Sequence, residues 1–114
     1  MANNFKSALG HMTDAWSVVY TVPTAKKSII LECDIANTSG TAMFFSIAIA
    51  QGVGNTPDYY LVKDSPLPSG STVSIIAGQK IALEESSVNT RIIVKADTGH
   101  TADIVMSLLE DVQI

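Results

Sequence analysis

The 114-residue chain has one cysteine, two histidines and four prolines, and only 16% of its residues are charged. Each scarcity excludes something. A single cysteine excludes an internal disulfide. Cys33 lies in ILECDIA, two residues from Leu31 and two from Ile35, so on a strand it shares their face as a small buried hydrophobe. A nucleophilic thiolate needs a cationic neighbour or a helix N-terminus, and the local sequence supplies neither. His11 and His100 are far apart, and neither stands at a short ligand spacing from a second His or Cys, so no zinc site is expected. Asp97, Asp103 and Glu110 do not follow a calcium-loop pattern. No apolar run approaches the roughly 20 residues that span a bilayer. MANNFKSALGHM lacks the apolar core of a signal peptide, so synthesis in a cytoplasm and no membrane partner are expected. The net charge of −4 gives no footprint for a phosphate backbone, which argues against nucleic acid. The one adjacent basic pair, Lys26 and Lys27, reads as a solvated turn.

Catalytic groupings are also missing. Glu84 and Glu85 are neighbours, so a strand sends them to opposite faces, whereas paired acid and base carboxylates must converge on one cleft. The serines of SGS (69–71) and SS (86–87) sit in turns, where hydroxyls support backbone conformation. GVGN (52–55) lacks the further glycine, the lysine and the following helix of a phosphate loop. No enzyme activity and no cofactor are expected.

What is present is strand and turn. Alternating apolar residues mark WSVVYTV (16–22), SIILECDIANT (28–38), AMFFSIAIA (42–50), YYLVKDSPL (59–67), STVSIIA (71–77), QKIALEE (79–85), TRIIVKA (90–96) and TADIVMSLLE (101–110). PTAKK, NTSGT, a loop at 51–58 and SSVN separate them. Gly78 predicts a bend or bulge between the sixth and seventh segments, and DTGH (97–100) predicts a hairpin. Pro66 and Pro68 cannot donate to a ladder and predict an edge. About eight strands at this spacing predict a single-domain, all-β, antiparallel sandwich over 17–114, jelly-roll or Ig-like. Residues 1–16 differ. Phe5, Leu9, Met12 and Trp16 fit one helical face, but Asn3, Asn4 and Gly10 weaken a helix, and an extended arm docking at apolar points is preferred.

Two strands, IIV (92–94) and IVM (104–106), are apolar on both faces, whereas one face of a sandwich sheet is normally wet. Their outer faces are expected to be covered, either by the arm or by a second copy. With 46% hydrophobic residues and little charge, the chain has much apolar surface to hide, which points to self-association. The residues expected to make contacts are Phe5, Leu9, Met12 and Trp16 of the arm, Phe44 opposite Phe45, and one of Tyr59 and Tyr60, the other filling the core. Tyr and Trp join apolar area to a polar handle. Removing residues 2–15 is expected to weaken assembly and leave the fold intact. Aromatic platforms also stack on sugars, so the 51–60 loop with its tyrosines raises a glycan-binding module as an alternative.

The sequence resembles a family of small virion structural proteins of tailed bacteriophages. The resemblance is carried by YTVP (20–23), ANT (36–38), LVKDSPLPSGS (61–71), KIALE (80–84) and the closing VMSLLE (105–110), and covers nearly the whole chain. Glu85-Ser86-Ser87, where an acidic-Gly turn is usual, and the Thr90-Arg91 entry depart from the pattern. The resemblance implies a building block of a virion made in the host cytoplasm. A capsid decoration protein, trimeric and bound to the major capsid protein, fits first. A neck, tail or fibre-associated protein is the alternative. The resemblance brings no catalytic residue.

Overall fold

The computed structural model describes residues 4–23, 26–52, 54–76, 81–84 and 90–110. They form nine strands: β1 (Asn4–Met12), β2 (Ser17–Thr21), β3 (Lys27–Asn37), β4 (Met43–Ala50), β5 (Tyr59–Leu67), β6 (Thr72–Ile76), β7 (Ile81–Glu84), β8 (Arg91–Ala96) and β9 (Ala102–Glu110). Sheet A has the order β1-β9-β3-β6, with β7 also on β3, and sheet B has the order β2-β8-β4-β5. All pairings are antiparallel. β3 is 11 residues long, and its first part takes β7 while its second takes β6. Counting β6 and β7 as one interrupted strand gives two four-stranded sheets with jelly-roll connectivity. The Gly78 bend and the SSVN turn lie outside the described residues.

The core is the inward-facing residues of both sheets. Phe45, Ile47, Ile92 and Val94 of sheet B meet Ile30, Cys33, Ile35, Ile104, Met106 and Leu108 of sheet A. The alternation of β4 is as the sequence predicts, with Phe45 and Ile47 inward and Phe44 and Ser46 outward. In β3 a bulge between Ile30 and Glu32 changes the expected face. Ile30 is fully buried, and Leu31 is the extra residue, only half-buried. A bulge shifts the two-residue period by one, so Cys33 and Ile35 stay inward while Leu31 leaves their row. Burial pushes the Cys33 thiol up to about 12, which leaves it protonated and unreactive at neutral pH.

Three expectations need correction. Residues 4–12 are neither a helix nor an arm outside the sandwich. They form the first strand, paired without a bulge to β9 from Asn4–Glu110 to Met12–Ala102. A two-residue period therefore applies, which buries Ala8 and Met12 and turns Phe5 and Leu9 outward. Met12 is thus a core residue and no contact candidate, and removing residues 2–15 would open the core. The DTGH segment turns the chain, with Gly99 at φ 80 and His100 N–H donating to Asp97 O, but it does not make a hairpin. β8 pairs with β2 and β4, and β9 with β1 and β3, so 97–100 is an arch between sheets. Finally, neither Tyr59 nor Tyr60 fills the core, because both begin the edge strand β5 and stay exposed.

A polar clasp joins the sheets at one end. The Tyr20 hydroxyl of β2 donates to Glu110 Oε2 and bonds Ser28 Oγ, both at 2.7 Å. Lys6 Nζ lies 3.2 Å from the other Glu110 oxygen. Burial, first of all, raises the Tyr20 hydroxyl well above its ordinary pKa. Its proton is therefore held in this cross-sheet bond, as a buried polar group requires.

Candidate functional site

Two surfaces hold the exposed large apolar residues, one on the outward face of each sheet. On sheet A the register aligns Phe5 with Leu109, Ile29 and Ala82 across β1, β9, β3 and β7. Leu9 lies opposite Val105. Phe5 is 80% exposed, Leu9 69% and Val105 48%. The patch is bounded by polar pairs. His11 Nδ1 is 2.6 Å from Asp103 Oδ1, and Ser74 Oγ donates to Asp34. A hydrogen bond with Asp34 raises the Glu32 carboxyl above its usual range. An apolar centre inside a polar rim is the anatomy of a protein contact surface.

β1 is also an edge strand, with β9 as its one ladder partner among the described residues. Natural edges are blunted by proline, bulges or charge. An edge of sheet B, β5, has these devices. It contains Pro66, its register shifts twice against β4, and Asp64 takes a left-handed φ of 49°. β1 has nine residues in unbroken register.

Sheet B's outward face is covered at one place. The chain crosses from sheet A at residues 13–16, where Thr13 O accepts from Ala96 N–H and Asp14 Oδ2 accepts from Gly99 N–H. This crossing lays Trp16 over Ala48, Ala50 and Ile93. Among the described residues, the expected covering of strand IIV is therefore supplied by the N-terminal segment, through Trp16. Among the same residues strand IVM receives no such cover, and Val105 stays exposed.

Beside Trp16 the same face holds a groove of about 290 Å3. Ser46 of β4 forms part of its lining. Tyr60 and Trp16 form one wall, with ring centroids 6.1 Å apart and planes tilted by 59°. Lys63 Nζ stands 5.3 Å from the centre of the Tyr60 ring. The β4–β5 bulge carries Asp64 into the groove, where its N–H donates to Ser46 Oγ at 3.0 Å. Phe44 closes the far end and is held to Asp97 by two bonds. Phe44 N–H donates to Asp97 Oδ1, and Asp97 N–H donates to Phe44 O.

Six of the seven contact candidates thus separate into three sets. Phe5 and Leu9 lie on sheet A, Trp16, Phe44 and Tyr60 around the groove of sheet B, and Met12 in the core. Tyr59 is 64% exposed and does not line the groove. Sequence reading missed Val105, Leu109, Lys95 and Asp64. The exposed position of Val105 was visible in the double-faced strand IVM, but the bulge that turns Asp64 into the groove left no signal. His100 is held by the fold: Nδ1 lies 2.9 Å from Asp97 and Nε2 3.0 Å from Thr41 Oγ1. Among the described residues no three His, Cys, Asp or Glu side chains come together as metal ligands.

No family model matches the chain, and no curated protein matches it. Among solved structures, it is similar to a chain from work on Bacillus endospore appendages, described as a novel family of disulfide-linked pili. That likeness has a TM-score of 0.48 and 10% identity, covering 98% of this chain and 88% of the other. At that distance it carries no functional argument.

Proposed function

We propose that this protein is a non-enzymatic structural component of a bacteriophage particle, a homo-oligomeric jelly roll that decorates the head by self-contact and by contact with the major capsid protein. The observation that carries the self-association is the outward face of sheet A, where Phe5, Leu9 and Val105 are exposed together beside the edge β1, which has no proline and no bulge. The virion setting rests on the resemblance of the sequence motifs. The occupant of the face is a second copy of the chain. An edge strand in unbroken register offers its backbone groups to an identical strand, and the adjoining apolar row buries against its equivalent.

The test is the mass in solution by size exclusion with light scattering, for the wild type and for Phe5→Glu/Leu9→Glu. A trimer that falls to a monomer in the variant, with an unchanged circular dichroism spectrum, is the expected result. Both side chains point to solvent, so the substitutions change stability by no more than about 0.5 kcal/mol each. A wild-type monomer would sink the proposal, and a ring of six or twelve would move the location to neck or tail.

A further inference from the structure

We infer that the groove between Trp16, Tyr60 and Phe44 is a binding site for a neutral pyranose ring. Sugar rings present weakly positive C–H groups on one face and hydroxyls around the rim. The negative face of an aromatic ring attracts the first, and a carboxylate and an ammonium pair with the second. The groove has both elements. Trp16 and Tyr60 are tilted into a V, Tyr60 is 46% exposed and Phe44 49%. Lys63 lies over the Tyr60 ring, and Asp64, Asp97 and Lys95 complete the lining.

The charges select the class of ligand. Two carboxylates and two ammonium groups balance, so the groove offers no net field for a phosphate or another anion. Lys95 forms no ion pair among the described residues and is free to donate. Among the described residues Asp64 has a single side-chain partner, Ser46 Oγ, at 3.4 Å on Oδ1, which leaves Oδ2 available to accept. Volume limits the size. At about 290 Å3 the groove is at the small end of ligand pockets, which span about 300–1,000 Å3, so it accepts a single ring with the remainder of a chain outside.

The backbone supports a built site. A non-glycine residue at positive φ is uncommon and worth a functional reading. Asp64 takes this conformation at the bulge, held by its N–H bond to Ser46 Oγ. The edge is blunted, as an edge strand requires, and the same bulge aims a carboxylate into an aromatic cleft. The site is on sheet B and is independent of the self-contact on sheet A.

Trp16 is the sole tryptophan, so its fluorescence reports on the groove directly. The probes are the methyl α-pyranosides of glucose, galactose and mannose, titrated against full-length protein up to about 50 mM, a weak-binding limit. Saturation-transfer NMR on the same samples identifies the sugar protons at the rings. A saturable response to at least one probe is expected, about tenfold weaker in both Tyr60→Ala and Asp64→Asn. Asn tolerates the left-handed conformation, so Asp64→Asn keeps the bulge and tests the charge alone. Phe5→Glu/Leu9→Glu should bind as the wild type does, which separates this site from the oligomer contact. No saturable response to any of the three sugars, or equal affinity in either groove variant, would overturn the assignment.

Discussion

β8 and β9 each carry an apolar residue at the middle of their outward face, and the fold treats the two differently. Ile93 of β8 is 0% exposed, beneath Trp16, whereas Val105 of β9 is 48% exposed. The sequences around them, IIV and IVM, look alike. The difference comes from the crossing at residues 13–16, which passes over one sheet and, among the described residues, leaves the other bare. Burial of an outward residue is therefore decided by chain path.

The sharpest way to break this comparison is to truncate both residues. Ile93→Ala should cost about 2–4 kcal/mol, in the range of a core deletion. Val105→Ala should cost no more than about 0.5 kcal/mol in the dissociated protein, as an exposed change does. Urea melts at a concentration low enough to hold a monomer would read both. Equal costs would mean that Trp16 does not enclose Ile93 in solution.

Trp16→Ala comes next. A fully buried Trp→Ala change costs about 3–5 kcal/mol, and the half-buried Trp16 should cost about 2 kcal/mol. It should also expose Ile93, Ala48 and Ala50, giving sheet B a second apolar patch, so the variant should bind more of a hydrophobic dye than the wild type does. If the melt were unchanged, the cover would be ornamental and the two faces equivalent.

Much of this fold was legible because its signal is local. Alternation and turn residues locate β2 to β9 to within a residue or two, and Pro66 marks β5 as an edge. What was not legible depends on pairing. Phe5, Leu9, Met12 and Trp16 fit a helical period as well as a strand, and only the ladder to β9 decides which of them are buried. DTGH reads as a hairpin by composition, yet which sheet each flanking strand joins is set by long-range contacts. The aromatic members of the groove were visible as residue types. Their meeting was not, since Trp16 and Tyr60 come together only through the crossing and the edge of β5.

The core between the two faces adds a pH dependence. Cys33 ionises near 9.0 when unfolded and at about 12 when folded. Below the lower value both states hold the proton and stability is intact. Between the two, only the unfolded chain loses it, so stability falls as pH rises. At about pH 10.5 the loss should be on the order of 2 kcal/mol. Tyr20, also raised by burial, adds a loss of the same sign at higher pH. Urea midpoints of the wild type and Cys33→Ala from pH 7 to 10.5 would separate them. The variant should start less stable and decline less steeply up to the range where Tyr20 takes over. Parallel curves would mean that Cys33 is not enclosed between the sheets.

The smallest effect tests β1 itself. Gly10 faces inward, and a Cβ added there would meet Ile104 Cγ2 at 3.4 Å and Val19 methyls at 3.6 and 3.8 Å. Those are ordinary contacts with side chains of both sheets, in a backbone conformation that needs no glycine. Glycine in a strand loses more chain entropy on folding than alanine and packs nothing. Gly10→Ala should therefore stabilise the protein by about 0.5 kcal/mol, read as a small rise in the urea midpoint. If residues 4–12 were instead a loose arm, the substitution would move nothing. A gain thus supports β1 as a fixed strand, and with it the outward placement of Phe5 and Leu9 on which the proposed self-contact depends.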